Sequence, residues 1–434
     1  MNPPDVASVT LRKVTLRLIP FLFILYIVAW LDRVNVGFAG LQMNADLGFS
    51  STAFGFGSGV FFLGYCLFEV PSNLVLHRVG ARRWISRIMI SWGVISAAMM
   101  FVRTASTFYV LRFLLGAAEA GFFPGVVYYL SHWYPEGQRA RAIAAFMTAV
   151  PVSGVIGGPL SGALLTLNGL FGLAGWQWLF LAEGVPAILL GVVVLVYLTD
   201  RPETADWLSS AEKDWLMSRL ASERTSDHGA LSVSVFTALM NPTIWHLGVI
   251  FLFAAIGFYG YSFWAPLVVK SLTGSSDLGV GVILGGISAV TIIMMVLNSA
   301  HSDRTDERPL HVAVPLLISG AGFFGCAILR EPILAVFFLA LVPIGHCAAY
   351  GPFWSMPSRF LTGAPAAAGI ALVVTIANVG GLVGPAIIGA MKDHFGTHGP
   401  AFMLLGACAI LAALLAMALG RVPALRSAQA SNLV

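Results

Sequence analysis

Apolar stretches of about 20 residues, the length a helix needs to cross the hydrocarbon of a bilayer, recur twelve times along this chain. They begin near Thr15, Phe54, Trp84, Ser106, Arg141, Gln177, Ile244, Leu278, His311, Pro332, Ala366 and Pro400. The pattern predicts an all-α membrane protein of twelve transmembrane helices. The longest polar interruption, Asp200 to Asn241, divides them six and six. Residues 1–200 therefore read as one six-helix bundle, 201–241 as a linker and 242–434 as a second bundle. Within the linker, Ser209-Ser210-Ala211-Glu212 has the form of a capping box, and Ala211, Trp215 and Leu220 form an apolar stripe beside Glu212, Lys213 and Arg219. A surface helix is expected there.

The two bundles read as copies. His77-Arg78 before the third stretch and Asp303-Arg304 before the ninth are 226 residues apart, and Arg82 and Arg308 share that offset. So do Gly154 and Gly158-Pro159 in the fifth stretch and Gly380 and Gly384-Pro385 in the eleventh. Separate anchors at one offset imply a six-plus-six duplication, as in transporters that rock two halves about a central site. Small residues on one helix face let backbones approach closely, and prolines free carbonyls and permit bending. Plain packing and a moving hinge both fit these glycines and prolines, as well as Gly162.

Composition and charge sharpen this picture. Of 434 residues, 58% are hydrophobic and 10% charged, against about 25% charged in soluble proteins. If the N-terminus is cytoplasmic, Arg103, Lys270, Arg330 and Lys392 lie outside, Arg33 and Arg112 lie within the membrane, and the rest of the 24 Lys and Arg are inside. The positive-inside rule then places both termini in the cytoplasm, as expected of a multi-pass protein of a bacterial-type inner (plasma) membrane. The basic loops orient the protein, so nucleic acid is not implied. Residues 11–30 have the basic-then-apolar look of a signal peptide but lack a small-residue cleavage site, and read as an uncleaved first span. Cys66, Cys326, Cys347 and Cys408 all fall in apolar stretches without CxxC or metal spacing, and no metal is expected.

Four charges interrupt the apolar runs: Asp32 and Arg33 in the first span, Arg112 and Glu119 in the fourth. Each costs roughly 2.5–3.5 kcal/mol near the bilayer centre on insertion scales, so each must face a partner or a water-filled cavity. Arg112 and Glu119 are two helical turns apart and share a face. Asp32 and Arg33 point about 100° apart, so each should meet a different helix. With all four ionised the sum is zero. A bound carboxylate makes it negative, and one proton on Asp32 or Glu119 restores neutrality, a route to binding anion and proton together. Arg33 offers a planar fork suited to a carboxylate, and Arg112 is either a second anion contact or the partner that tunes Glu119. Asp32 and Glu119 are the candidate proton carriers. The competing reading is a static network holding spans one and four together.

Asp32, Arg33, Arg112 and Glu119 map at the 226 offset to Phe258, Tyr259, Phe338 and Gly345, so the second half repeats none of these charges. It is expected to shape the pocket with Tyr259, Tyr261, Trp264, Trp354 and Asn378, completed by Tyr65 from span two. Glu69 reads as a helix-end acid, Glu183 as an outer gate or helix-end acid, and His346 as a packing histidine.

The segments Leu31-Asp32-Arg33-Val34-Asn35-Val36-Gly37-Phe38-Ala39, Gly64-Tyr65-Cys66-Leu67-Phe68-Glu69-Val70-Pro71-Ser72-Asn73 and Arg112 through Gly125 together resemble the major facilitator superfamily, within it the anion:cation symporters. Gly351-Pro352-Phe353-Trp354 and Asn378 also fit. The resemblance spans nearly the whole chain and looks most like the bacterial branch carrying tartrate, sugar acids, phthalate and other aromatic acids. It implies that the span-one and span-four charges bind the anion and couple its transport. One departure lies after span two: the superfamily usually has a glycine and an aspartate where this chain has Asn73 and His77, while Arg78, Gly80, Arg82 and Arg83 remain. That loop therefore lacks the usual charged latch, whereas Asp303-Arg304 keeps the acid in the second half.

An enzyme is not expected, because HExxH, GxSxG and G-x-x-x-x-G-K-[ST] signatures are all missing. A receptor would leave the duplication and the buried charges unexplained. Drug–proton antiport competes, because Gly154 to Gly162 resembles the glycine-proline motif of such exporters, but two buried arginines suit an anion better than a cation. A proton-independent uniporter or exchanger is the other alternative. The favoured expectation is import of a small organic carboxylate with protons, driven by the proton gradient without a cofactor, by a protein functional as a monomer in the lipid bilayer.

Overall fold

The computed structural model describes residues 6–226, 239–357 and 363–420. Among them, twelve helices are long and apolar enough to cross a membrane. In chain order, spans one to six are Val6–Leu47, Ser51–Val79, Ala81–Phe101, Ala105–Ser131, Glu136–Leu165 and Gly175–Tyr197. Spans seven to twelve are Pro242–Thr273, Asp277–Thr305, Pro309–Ile328, Pro332–Ser355, Ala368–Phe395 and Gly399–Leu419.

Local chemistry sets many of the ends. Ser50 accepts from the Ala53 amide at the start of span two, Ser276 from Gly279 at span eight and Glu331 from Leu334 at span ten. Thr104 and Thr107 form a reciprocal cap on span four. Pro242, Pro309 and Pro332 occupy first helical positions, where a missing N–H costs nothing. Large apolar side chains such as Val70, Val196 and Ile333 stand exposed on the outer surface, the arrangement lipid requires and water would penalise.

Helix neighbours repeat with a shift of six spans. Span one packs on five and six, two on four, and three on four and six; likewise seven packs on eleven and twelve, eight on ten, and nine on ten and twelve. The halves meet through a reciprocal pair of contacts, span two against eleven and span five against eight, with span one against seven between them.

The linker helix, Ser210–Ser226, docks on the first half at the end of the bundle where the chain starts. The capping box is present: the Ser209 amide donates to Glu212 (2.8 Å) and the Glu212 amide to Ser209 Oγ (3.4 Å). The buried face differs from the expected stripe. Ala211 is exposed, while Glu212 and Leu216 turn inward, because Lys13 supplies a cation 2.6 Å from Glu212. Trp207 stacks on Trp133 at 5.2 Å, and the Arg17 guanidinium lies over the Tyr197 and Trp207 rings.

Candidate functional site

Span four is two helices. Ala105–Glu119 stops, Gly121 takes a left-handed φ of 90°, and Phe122–Ser131 begins. A side chain at Gly121 would be strained in this conformation and would also run into Ser72. The break leaves Glu119 as the last residue of its helix and aims it at span one, where it forms an ion pair with Arg33. Glu119 is 2% exposed and the Arg33 side chain 12%. Aromatic rings enclose the guanidinium: Trp30, Phe61 and Tyr65 lie with centroids 5.0, 5.4 and 5.3 Å from it. Tyr26 and Tyr259 face it from spans one and seven.

Arg112 is fully buried, seven residues earlier on the same helix. Its Nη2 donates to the Ser58 carbonyl (3.2 Å), and Nε and Nη1 have no hydrogen-bond partner among the described residues. It lies against Phe61 and Phe263, and no acid stands at ion-pair distance among the described residues. Arg33, and not Arg112, pairs directly with Glu119, while Arg112 faces Asp32 and Glu119 without pairing with either.

Asp32 turns away from Arg33, as neighbours on a helix must. It accepts from Ser96 of span three and from Asn35 Nδ2 (3.2 Å). The two candidate proton carriers thus have different direct partners, Glu119 a cation and Asp32 two neutral hydrogen-bond donors.

The pocket residues expected from the second half divide by helix face. Tyr259 reaches the Arg33 side and packs on Phe62 at 4.4 Å. Phe263, one turn on, shares that face and meets Arg112. Tyr261 lies 200° around the helix from Tyr259 and points into the second half beside Cys326 and Cys347. Trp264 packs edge-on to Phe54 at 5.3 Å and donates to the Pro385 carbonyl (3.1 Å). Trp354 packs on Phe251 and Phe353. None of these three contacts Arg33 or Arg112 among the described residues. Asn378 is buried, faces Cys66 of span two and has no partner for Nδ2 among the described residues.

The expected gating residues fall in two places. Gly154 and Gly158 press against Ser288 and Gly281 of span eight, and Pro159 against Gly285. Gly384 meets span seven, and Pro385 approaches Gly55. The Gly384 contact lies within the second half, whereas the contacts of span five with span eight and of Gly55 with Pro385 join the halves toward the far end, away from the start of the chain. Polar clamps finish the closure: Gln42 donates to Asp277 (2.8 Å) and to the Leu165 carbonyl (3.1 Å), Lys270 pairs with Asp277 (2.8 Å), and Asp393 accepts from the Ser51 and Thr52 amides (3.0 and 2.7 Å). At the opposite end, Arg82 turns to Asp200 through its backbone amide (2.8 Å), and Asp303 pairs with Arg308 (2.7 Å). Arg78, Arg83 and Arg304 are exposed. The first-half arginine thus finds an acid at the end of span six where position 77 holds His.

The sequence reading missed the helix break at Ala120-Gly121, the facing Tyr26 and the far-end clamps. It also placed Glu183 at a helix end. Glu183 is instead 4% exposed inside span six, where it accepts from Ser161 (3.0 Å). The signal available was an acid nine residues into an otherwise apolar helix.

A family model described as Major Facilitator Superfamily matches residues 22–371. The chain belongs to that superfamily. An Agrobacterium vitis protein named for tartrate transport is 47% identical over 96% of this chain and 92% of its own length. An Acinetobacter baumannii quinolone resistance transporter is 40% identical over 90% of each. The inward-open xylose transporter XylE of E. coli, partially occluded, superposes with a TM-score of 0.74 at 15% identity, covering 95% of this chain and 98% of that one. The protein is accordingly a multi-pass membrane transporter of the Major Facilitator Superfamily, moving a small molecule, and not an enzyme.

Proposed function

We propose that this transporter carries a small organic carboxylate together with protons, by alternating access. The observation that carries the reading is the buried Arg33–Glu119 pair inside its aromatic enclosure. A substrate carboxylate can take both prongs of the Arg33 fork only by displacing Glu119. Displacement leaves a buried, uncompensated carboxylate, which is strongly unfavourable. A proton on Glu119 removes that charge as it releases Arg33. Anion and proton then arrive together, and either alone is disfavoured.

Arg112 supplies a second guanidinium, its Nε and Nη1 unpartnered, two turns before Glu119 on span four, and Tyr65, Tyr259 and the free Nδ2 of Asn378 supply polar tips for the rest of the ligand. The relative named for tartrate favours a hydroxy acid. The quinolone relative keeps export of a larger carboxylate-bearing molecule as a second reading. With the termini in the cytoplasm of a bacterial inner membrane, as the basic loops favour, the closed far end is outer and Arg33 is reached from within. One copy of the chain contains the whole proposed site.

The test is uptake of radiolabelled tartrate, sugar acids, phthalate, hydroxybenzoate and nicotinate into proteoliposomes, with and without an inward proton gradient. Gradient-driven accumulation of one acid, lost in Arg33→Ala and uncoupled in Glu119→Gln, is the expected result. Accumulation that ignores the gradient, or a Glu119→Gln variant indistinguishable from wild type, would sink the coupling mechanism.

A further inference from the structure

Behind span one, on the side away from Arg33, lies a second carboxyl pair. Asp32 is 1% exposed and Glu183 of span six 4%. Asn35 of span one lies between them: its Nδ2 donates to Asp32 (3.2 Å), and its side chain also faces Glu183. Ser96 of span three donates to Asp32, and Ser161 of span five donates to Glu183 (3.0 Å).

The donors and acceptors of this cluster do not balance. Asp32 Oδ2, Glu183 Oε2 and Asn35 Oδ1 are all buried and have no partner among the described residues. The two serine hydroxyls are already directed at the acids, and the amide Nδ2 at Asp32. Spans one, three and five pack on span six here, and they bring Asp32, Ser96 and Ser161. No Lys, Arg or His pairs with either acid among the described residues; the charged groups facing Asp32 are Arg112 and Glu119 of span four, and Asp32 itself faces Glu183. Two carboxylates that face each other with no cation paired to either, Arg112 acting on Asp32 from span four, repel one another. A carboxylic acid O–H is the donor that would occupy the empty amide oxygen or the neighbouring carboxylate.

We propose that Asp32 and Glu183, with Asn35 between them, form one proton-binding site within the first half, and that this pair rather than Asp32 alone carries the second titrating function beside Glu119. The carrier role rests on the proton-coupled reading above; the binding site itself does not. Each acid belongs to a different helix of the same half, so a proton moved between them need not cross the substrate pocket. Glu119 exchanges its proton in concert with the anion, and the Asp32–Glu183 pair holds a proton independently of whether Arg33 is occupied.

Infrared titration of the purified protein in bilayers, without any substrate, tests the site. A protonated-carboxyl C=O band is expected at neutral pH, diminished in Glu183→Gln and shifted in frequency in Asn35→Ala, which keeps both acids. A band unchanged in both variants overturns the site, and Asn35→Ala alone decides the matter should Glu183→Gln fail to fold. Proteoliposome uptake of the acid panel then tests the carrier role: Glu183→Gln should lose gradient-driven accumulation and retain counterflow. Accumulation at the wild-type level in that variant overturns the role. Wild-type protein that accumulates none of the acids under a gradient overturns proton coupling, and the infrared result still decides whether the pair holds a proton.

Discussion

Arg33 of span one pairs with Glu119, the last residue before span four breaks, across 86 positions of sequence. Removing one member of a buried pair leaves the other uncompensated, at a cost of about 3–5 kcal/mol. Arg33→Ala should therefore lower thermal stability in detergent more than the double variant with Glu119→Gln. Arg33→Lys should restore much of the stability and little of the anion affinity, because an ammonium lacks the planar fork. Thermal unfolding beside equilibrium binding separates the two.

The two tyrosines of span seven should behave oppositely. Tyr259→Phe removes a hydroxyl facing the Arg33 site and should weaken anion binding by about 0.5–1.5 kcal/mol, the usual net worth of one hydrogen bond. Tyr261→Phe, in the second-half interior, should leave transport KM unchanged. Equal effects on KM would contradict the helix rotation seen here.

At Gly121, alanine must adopt a left-handed backbone and displace Ser72. A loss of roughly 1–2 kcal/mol follows from the backbone alone, and Glu119 should lose its aim at Arg33. The check is a drop in unfolding temperature together with weakened pH coupling of uptake.

The far-end clamps hold one member of an alternating pair of states. Asp393→Ala removes two charge-assisted bonds to the start of span two, both exposed to solvent, where such an interaction is worth about 1 kcal/mol or less. It should shift the population toward the state open at the far end. A cysteine replacing Phe54, whose ring is buried against Trp264 of span seven, should then label faster with an impermeant maleimide applied from that side.

The linker helix carries a pH response of its own. The Lys13 ammonium, followed by the Ser209 amide, holds the Glu212 carboxyl below its ordinary value. A depressed carboxyl contributes stability that is fully present above the unfolded-state value and is lost as pH falls through the folded one. Docking of Ser210–Ser226 should accordingly persist at neutral pH, loosen only below the ordinary glutamate range, and be weakened at neutral pH by Glu212→Gln. Hydrogen exchange across this helix against pH reads all three.

The sequence by itself determined the twelve spans, the six-plus-six repeat, the four buried charges and the capping box of the linker. Bilayer thickness, insertion cost and capping act on contiguous residues, so they leave a local trace. Tertiary structure alone decided who meets whom. It gave Arg33 rather than Arg112 to Glu119, because a left-handed glycine redirects the end of a helix. It set Tyr259 at the site and turned Tyr261 from it, because rotation about the helix axis is fixed by packing against neighbours. It also brought Glu183 to Asp32, a juxtaposition no spacing along the chain records, since the two acids lie on helices that touch only after spans one, three, five and six have packed.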